Sequence, residues 1–244
     1  MNDIASARAS FAEQSVIFQR RHNWIMCWLY TGTFGSFIGY SAGFPLLAKT
    51  QFPEINALQY AFLGPLVGAL SRSLTGWVAD RWGGGRVTFW VFVVMALGAL
   101  GVVHFLGEKN FAGFFAMFLL LFFASGVGNA STFQMIPAIM RKDMERLMPN
   151  ASADTRRMQS DKESAAIIGF TSAIAAYGAF FIPKSFGSSI AMTGSASGAL
   201  YGFLAFYLTC IFATWFFYTR RGGLLFDVER KGASMSAPTP KPAR

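Results

Sequence analysis

The chain has 244 residues, of which 53% are hydrophobic and only 14% charged, with 27 Phe. A soluble domain carries about 25% charged residues, so the composition excludes an ordinary water-soluble fold and indicates a membrane protein. The formal net charge of +9 follows from where the cations fall along the membrane topology and calls for no nucleic-acid partner.

Six stretches are long enough to cross an apolar core of ~30 Å, which takes about 20 helical residues. They are Trp24–Leu47, Leu58–Ala79, Val87–Leu106, Phe111–Ile136, Ser164–Ile182 and Gly194–Tyr218. The expected fold class is an all-α membrane protein with six transmembrane helices over 24–218. Residues 1–23 are polar, carry Arg8, Arg20 and Arg21, and read as a cytoplasmic leader or linker rather than an export signal. Residues 219–244 read as a cytoplasmic tail, disordered at its Ser-, Ala-, Pro- and Lys-rich end. Of the 21 Lys and Arg, all but Lys49, Arg72, Lys109 and Lys184 lie in the N-terminal segment, the 80–86 loop, the 141–163 loop or the tail. By the positive-inside rule both termini are then cytoplasmic.

The first stretch carries Gly32, Gly35, Ser36, Gly39 and Gly43, a small-residue stripe at helical spacing that admits a close neighbour. Tyr30 and Phe34 lie four apart on one face; they either line a cavity or pack, and the pattern alone favours packing. The second stretch holds Arg72, the only charged side chain inside any of the six. Keeping it there costs about 2.5–3.5 kcal/mol on insertion scales, which points to a task such as pairing with an anion. Snorkelling to the nearer interface is the alternative. Gly64, Pro65, Gly68, Arg72, Thr75 and Gly76 share one face by i, i+3, i+4 spacing, so Arg72 is expected to project from this small face into the protein. Pro65 is expected to kink the helix.

The stretch ends in Gly76-Trp77-Val78-Ala79-Asp80-Arg81-Trp82-Gly83-Gly84-Gly85-Arg86. Its spacing, G-x-x-x-D-R-x-G-x-x-R, resembles the loop motif of the major facilitator superfamily. That resemblance gives Asp80, Arg81 and Arg86, with Gly76 and Gly83, the role of a cytoplasmic gating latch.

The fourth stretch closes on Gly126–Pro137, where Asn129 and Gln134 are amides that need partners in a membrane interior. Helix–helix hydrogen bonding would satisfy them as well as a ligand would. The 141–163 segment, dense in both signs of charge, is expected to be a solvated loop with a short amphipathic helix. In the fifth stretch, Gly169–Phe180 is almost free of bulky aliphatic residues, so Thr171, Ser172 and Tyr177 read as a polar cavity wall. Cys27 and Cys210 sit within helices and read as packing residues. There is no Cys/His cluster with metal spacing and no nucleophile motif, so neither metal, cofactor nor enzyme activity is expected. All 12 Asp and Glu fall in termini, loops or helix ends, leaving no buried relay carboxylate and favouring exchange over proton coupling.

Taken together, Tyr30–Phe44, Phe62–Thr88, Gly126–Pro137 and Gly169–Pro183 resemble the C-terminal half of the nitrate/nitrite porter family within that superfamily, from about Trp24 to Tyr218. The resemblance implies that Arg72 is a substrate-binding Arg, that Phe34 packs on the planar anion, and that Tyr30 hydrogen-bonds it. It also implies that Gly169–Phe180 is the family's Gly-rich signature, with Gly169 and Gly178 letting helices slide. Asn129, Thr171, Ser172 and Tyr177 complete the candidate substrate site. The family's two six-helix halves each supply one binding Arg, so the implied partners are nitrate, nitrite, the bilayer and a second six-helix half. That half is a separate chain, a missing N-terminal half or a second copy. The implied setting is the inner (plasma) membrane and nitrate assimilation. The alternative is a non-transporting accessory or remnant membrane subunit.

Overall fold

The computed structural model describes residues 15–226; the start of the expected leader, 1–14, and the end of the expected tail, 227–244, lie outside the described residues. All regular structure among the described residues is helical. The first run is α1 (Arg21–Tyr30), a π turn (Thr31–Gly35) and α2 (Ser36–Gln51). A short turn at Ala57–Tyr60 leads to α3 (Leu63–Leu74) and α4 (Gly76–Trp82). Then follow α5 (Gly84–Gly107), α6 (Phe111–Leu147), α7 (Ala153–Ala176), α8 (Gly178–Thr193) and α9 (Ser197–Thr214). Four helical runs are long and apolar enough to cross a membrane: Gly84–Gly107, Phe111–Leu147, Ala153–Thr193 and Ser197–Thr219.

Several expectations are corrected by this arrangement. The 141–163 segment is not a loop. α6 continues to Leu147 and α7 starts at Ala153, leaving a short connection. At ~1.5 Å per residue α6 is about 55 Å long, well beyond a ~30 Å core. The charges that looked like loop residues sit on these helical extensions, supported by pairs such as Lys142–Glu145 at 2.8 Å. The Ser152 hydroxyl caps α7 by accepting from Thr155 N at 3.2 Å. Lys184, two residues past the expected end of the fifth stretch, lies within α8. Pro65 does not kink its helix, because α3 begins only at Leu63 and a proline in the first turn removes a bond that is unmade anyway. The interruption falls instead at Thr75, with φ −109° and ψ 5°.

Glu163 is a further correction. It is only 3% exposed and receives two 2.8 Å hydrogen bonds from Arg20 Nε and Nη2, so it is a buried partner rather than a solvated charge. The fork ties the residue preceding α1 to α7.

The core is built from aromatic rings and glycine contacts. α6 packs on α3, α5 and α7, while α2 packs on α8 and α5 on α9. A Cβ on Gly178 would lie 2.2 Å from the Gly35 carbonyl oxygen, and one on Gly39 would lie 2.7 Å from the Gly178 carbonyl. The small-residue stripe of the first run is therefore where α7 and α8 cross it. Tyr40, Tyr207 and Ser36 form a buried hydroxyl cluster deeper in the same region.

Candidate functional site

The site starts from the π turn. Two glycines and two β-branched threonines occupy Thr31–Gly35, and both threonine hydroxyls turn back on their own helix. Thr31 donates to the Cys27 carbonyl at 2.7 Å, and Thr33 approaches the Leu29 and Tyr30 carbonyls at 3.4 Å. Such back-bonding weakens regular α geometry, and single π turns are common at functional positions. Here Tyr30 stands just before the turn and Phe34 within it, their rings stacked with centroids 5.2 Å apart and an interplanar angle of 20°.

The Tyr30 hydroxyl donates to Asn129 Oδ1 at 2.8 Å, and both residues are buried. α6 comes this close because Gly128 faces Thr33, where a Cβ would meet Thr33 Cγ2 at 2.6 Å. Thr33 and Thr132 hydroxyls, 3.2 Å apart, add a second link. One turn on from Asn129, Phe133 closes the aromatic wall, its ring centroid 6.3 Å from that of Tyr30. Ser172 and Arg72 are the other polar groups near the Tyr30 hydroxyl.

Arg72 does not project from the buried small face. Gly64, Gly68 and Ser71 form that face. Ser71 donates to the carbonyls of Gly68 (3.0 Å) and Phe123 (3.1 Å), and Gly126 leaves no room for a Cβ against Ser71 and Gly68. Arg72 follows on the exposed flank. It occupies the last turn of α3, where the negative end of the helix dipole favours a cation. Among the described residues it makes no ion pair. Gln134 donates to the Gly76 carbonyl at 3.2 Å, holding the break that follows Arg72.

The structure thus gathers Tyr30, Phe34, Asn129, Ser172 and Arg72. It does not bring the other sequence candidates to them. Thr171 is buried and donates to Ile167 O of its own helix at 2.8 Å. Tyr177 is 62% exposed and lines an apolar groove with Trp24 and Trp28. Gly169 faces open space, and Gly178 is clasped against Gly35. Phe133 was missed by sequence reasoning, although its place one helical turn after Asn129 is a readable signal.

The 76–86 segment is α4, the single linking residue Gly83 and the first turn of α5, so the expected 80–86 loop is helical except at Gly83. Gly83 adopts φ 92°, a conformation that favours glycine. Gly84 brings α5 onto α6, since a Cβ there would lie 2.8 Å from Met135 Cγ and 3.1 Å from Ser131 O. Asp80, Arg81, Gly83 and Gly84 border a cavity of about 220 Å³ shared with Gln134 and Leu225. Asp80 and Arg81 are exposed and Arg86 is half-buried.

Residues 2–153 match the family described as the Major Facilitator Superfamily. The chain belongs to the major facilitator superfamily. Its curated relatives include the nitrate/nitrite transporter NarU of Escherichia coli (strain K12), 49% identical over 228 residues, covering 91% of this chain and 49% of that protein. NarU of Salmonella typhimurium (strain LT2) is 47% identical over 228 residues, with the same coverage. The probable nitrate/nitrite antiporter NarK2 of Thermus thermophilus is 38% identical over 222 residues, covering 88% of this chain and 46% of that protein. This superfamily member therefore spans about half the length of the curated relatives it matches.

Proposed function

We infer that this chain forms one six-helix half of a twelve-helix nitrate/nitrite transporter of the inner membrane, working by nitrate–nitrite exchange. In this reading the first run (21–51) and the α3–α4 run join the four long apolar runs as the remaining spans, and both termini are cytoplasmic. The second half arrives as another six-helix segment or chain, and the two together enclose the anion.

The observation that carries the reading is Arg72: a cation in an apolar helix, exposed on the flank of this half near Tyr30, with no acidic partner among the described residues. The names of the relatives, nitrate/nitrite transporters and a probable nitrate/nitrite antiporter, support nitrate and nitrite as the substrates. Arg72 would grip a planar oxyanion through paired N–H donors, which a Lys point charge cannot match. Phe34, stacked on Tyr30, would offer its face to the anion plane, and Asn129, whose Oδ1 is occupied by Tyr30, would offer its amide protons. Asp80, Arg81 and Arg86, with Gly76 and Gly83, would work as the gating latch on the cytoplasmic side.

Equilibrium binding of isotopically labelled nitrate, in protein carrying both halves, tests the assignment. Wild type should bind nitrate and be competed by nitrite, while Arg72→Ala should lose most of that binding. Unchanged nitrate binding in Arg72→Ala would reject it.

A further inference from the structure

We propose that the hollow between the ends of α6 and α7 is a binding site for a phosphate-bearing anion at the membrane surface. Arg141 and Glu145 from α6, with Ala153, Arg156 and Arg157 from α7, enclose a cavity of about 350 Å³. Three guanidinium groups therefore face one carboxylate. That carboxylate is already engaged, because Lys142 Nζ lies 2.8 Å from Glu145 Oε2. Arg157 Nε stands 4.0 Å from Asp161 Oδ2, with both side chains exposed, a contact that solvent screens heavily. Arg141 and Arg156 make no ion pair among the described residues. Positive charge in the hollow thus exceeds its one lining carboxylate, and the first turn of α7 adds its dipole, partly offset by Asp154 in that same turn.

The chemistry and the depth both select phosphate. Guanidinium forks match phosphate oxygens in pairs, and several around one cavity outmatch a single cation. Arg141 lies five residues beyond Ile136, and Arg157 seven before Ser164. At ~1.5 Å per residue these are about 7 Å and 10 Å past the apolar stretches. The headgroup layer occupies roughly 5–8 Å on each side of the core, so the hollow sits at and just beyond the level of lipid phosphates. It lies at the same end of the bundle as both ends of the described chain, since Glu163 of α7 pairs with Arg20 and His22 contacts Tyr218. Basic pockets of this kind between transmembrane helices suit anionic headgroups. The site is distinct from that of Arg72, because Arg141 is about 18 Å along α6 from Asn129 at the same rise.

The ligand is a phospholipid headgroup or free phosphate, and two arms of one experiment separate them. Native mass spectrometry of the purified chain would count bound phosphatidylglycerol against phosphatidylcholine, and thermal unfolding would be followed with inorganic phosphate against chloride at equal ionic strength. Phosphatidylglycerol should be retained in preference to phosphatidylcholine if the ligand is a lipid. Phosphate alone should raise the unfolding temperature if the ligand is free. The Arg141→Gln/Arg156→Gln double variant should weaken binding about thirtyfold, as each basic residue near an anionic surface contributes roughly fivefold. Lys184→Gln, on α8, should not. Should the double variant fail to fold, Arg156→Lys keeps the charge, loses the fork and should still weaken binding. Equal retention of the two lipids with no effect of phosphate, or undiminished binding in these variants, would overturn the proposal.

Discussion

The Tyr30 hydroxyl gives its only proton to Asn129 Oδ1, at 2.8 Å, across two helices. This bond divides the labour at the site. Tyr30 cannot donate elsewhere while it donates to Asn129, and in the proposed site the Asn129 amide, its oxygen occupied, would offer its N–H groups to the anion. Asn129→Asp would keep the acceptor for Tyr30 but place a negative charge beside the anion. At an effective dielectric of 20 and roughly 5–6 Å, that repulsion is about 3 kcal/mol, or about a hundredfold in affinity. Asn129→Ala should cost less, since it frees the Tyr30 hydroxyl for the anion. Nitrate KM for the two variants in a complete transporter checks the order; an Asp variant as good as the Ala variant would refute it.

Arg72→Lys should fail nearly as badly as Arg72→Ala in transport. Lys retains the charge but not the planar pair of donors. If Arg72→Lys keeps most of the wild-type rate, Arg72 acts as an electrostatic attractor alone.

Two glycines of the same signature should respond in opposite ways. Gly178→Ala drives a methyl to 2.2 Å from the Gly35 carbonyl oxygen, and overpacking against backbone costs about 1–3 kcal/mol or more. Gly169→Ala meets nothing within 4 Å and should be neutral or stabilising by roughly 0.5–1 kcal/mol, the usual helical gain. Thermal unfolding in detergent separates them. Equal unfolding temperatures would show that the α8 crossing is looser than the structure has it.

The Arg20–Glu163 fork sets a pH signature. Burial pushes the Glu163 carboxyl up, but the hydrogen bonds from Arg20 and Gln159 outweigh it, leaving it below the usual carboxylate range. A carboxyl whose folded pKa is depressed stabilises the fold above its unfolded pKa of about 4.3, and that stability fades as pH falls through the lower folded value. Arg20, raised by the same partner, stays charged throughout. The contribution should therefore be flat from neutral pH down to about 5 and decline in stronger acid. Glu163→Gln should cost on the order of 2 kcal/mol, between an exposed pair and a fully buried one, and should remove that acid dependence. An unfolding temperature that falls in parallel with wild type through acid would contradict it.

Much of this was legible in the sequence, and the parts that were not share a cause. Apolar length located the four runs long enough to cross a membrane, and the single internal cation singled out Arg72. Asn129 and Gln134 were recognisable as amides in need of partners, and both have them, in Tyr30 and the Gly76 carbonyl. The ends of α6 and α7 were misread because hydropathy reports the thickness of the bilayer, while helices continue past it wherever capping and charge pairs support them. Glu163 looked solvated for the same reason: its partner Arg20 is 143 residues away, and no local pattern announces it. Thr171 and Tyr177 were grouped with Ser172 by polarity, yet helical rotation sends one hydroxyl into its own backbone and the other ring to an outer groove. Across the π turn the periodic reading held for Tyr30 with Phe34 and for Gly35, Gly39 and Gly43, while Gly32 alone of the stripe turns to Phe92 and Cys210.

The chain by itself should not exchange anions, because one Arg and one wall do not enclose a cavity. Purified and reconstituted in liposomes as a demonstrated monomer, it should give no nitrate uptake against internal nitrite. Robust exchange by the monomer would contradict the two-half reading, and exchange by a homodimer would identify the second half as another copy.

Nitrate uptake into vesicles containing both halves, with and without internal nitrite and with or without an imposed pH gradient, tests the central claim most directly. An empty cavity leaves Arg72 without a counter-charge, which is costly away from water, so return of the loaded carrier should be faster than return of the empty one. The account predicts strong acceleration by internal nitrite, little effect of the gradient, and loss of the accelerated phase in Arg72→Ala. Uptake that follows the pH gradient, ignores internal nitrite and survives Arg72→Ala would contradict it.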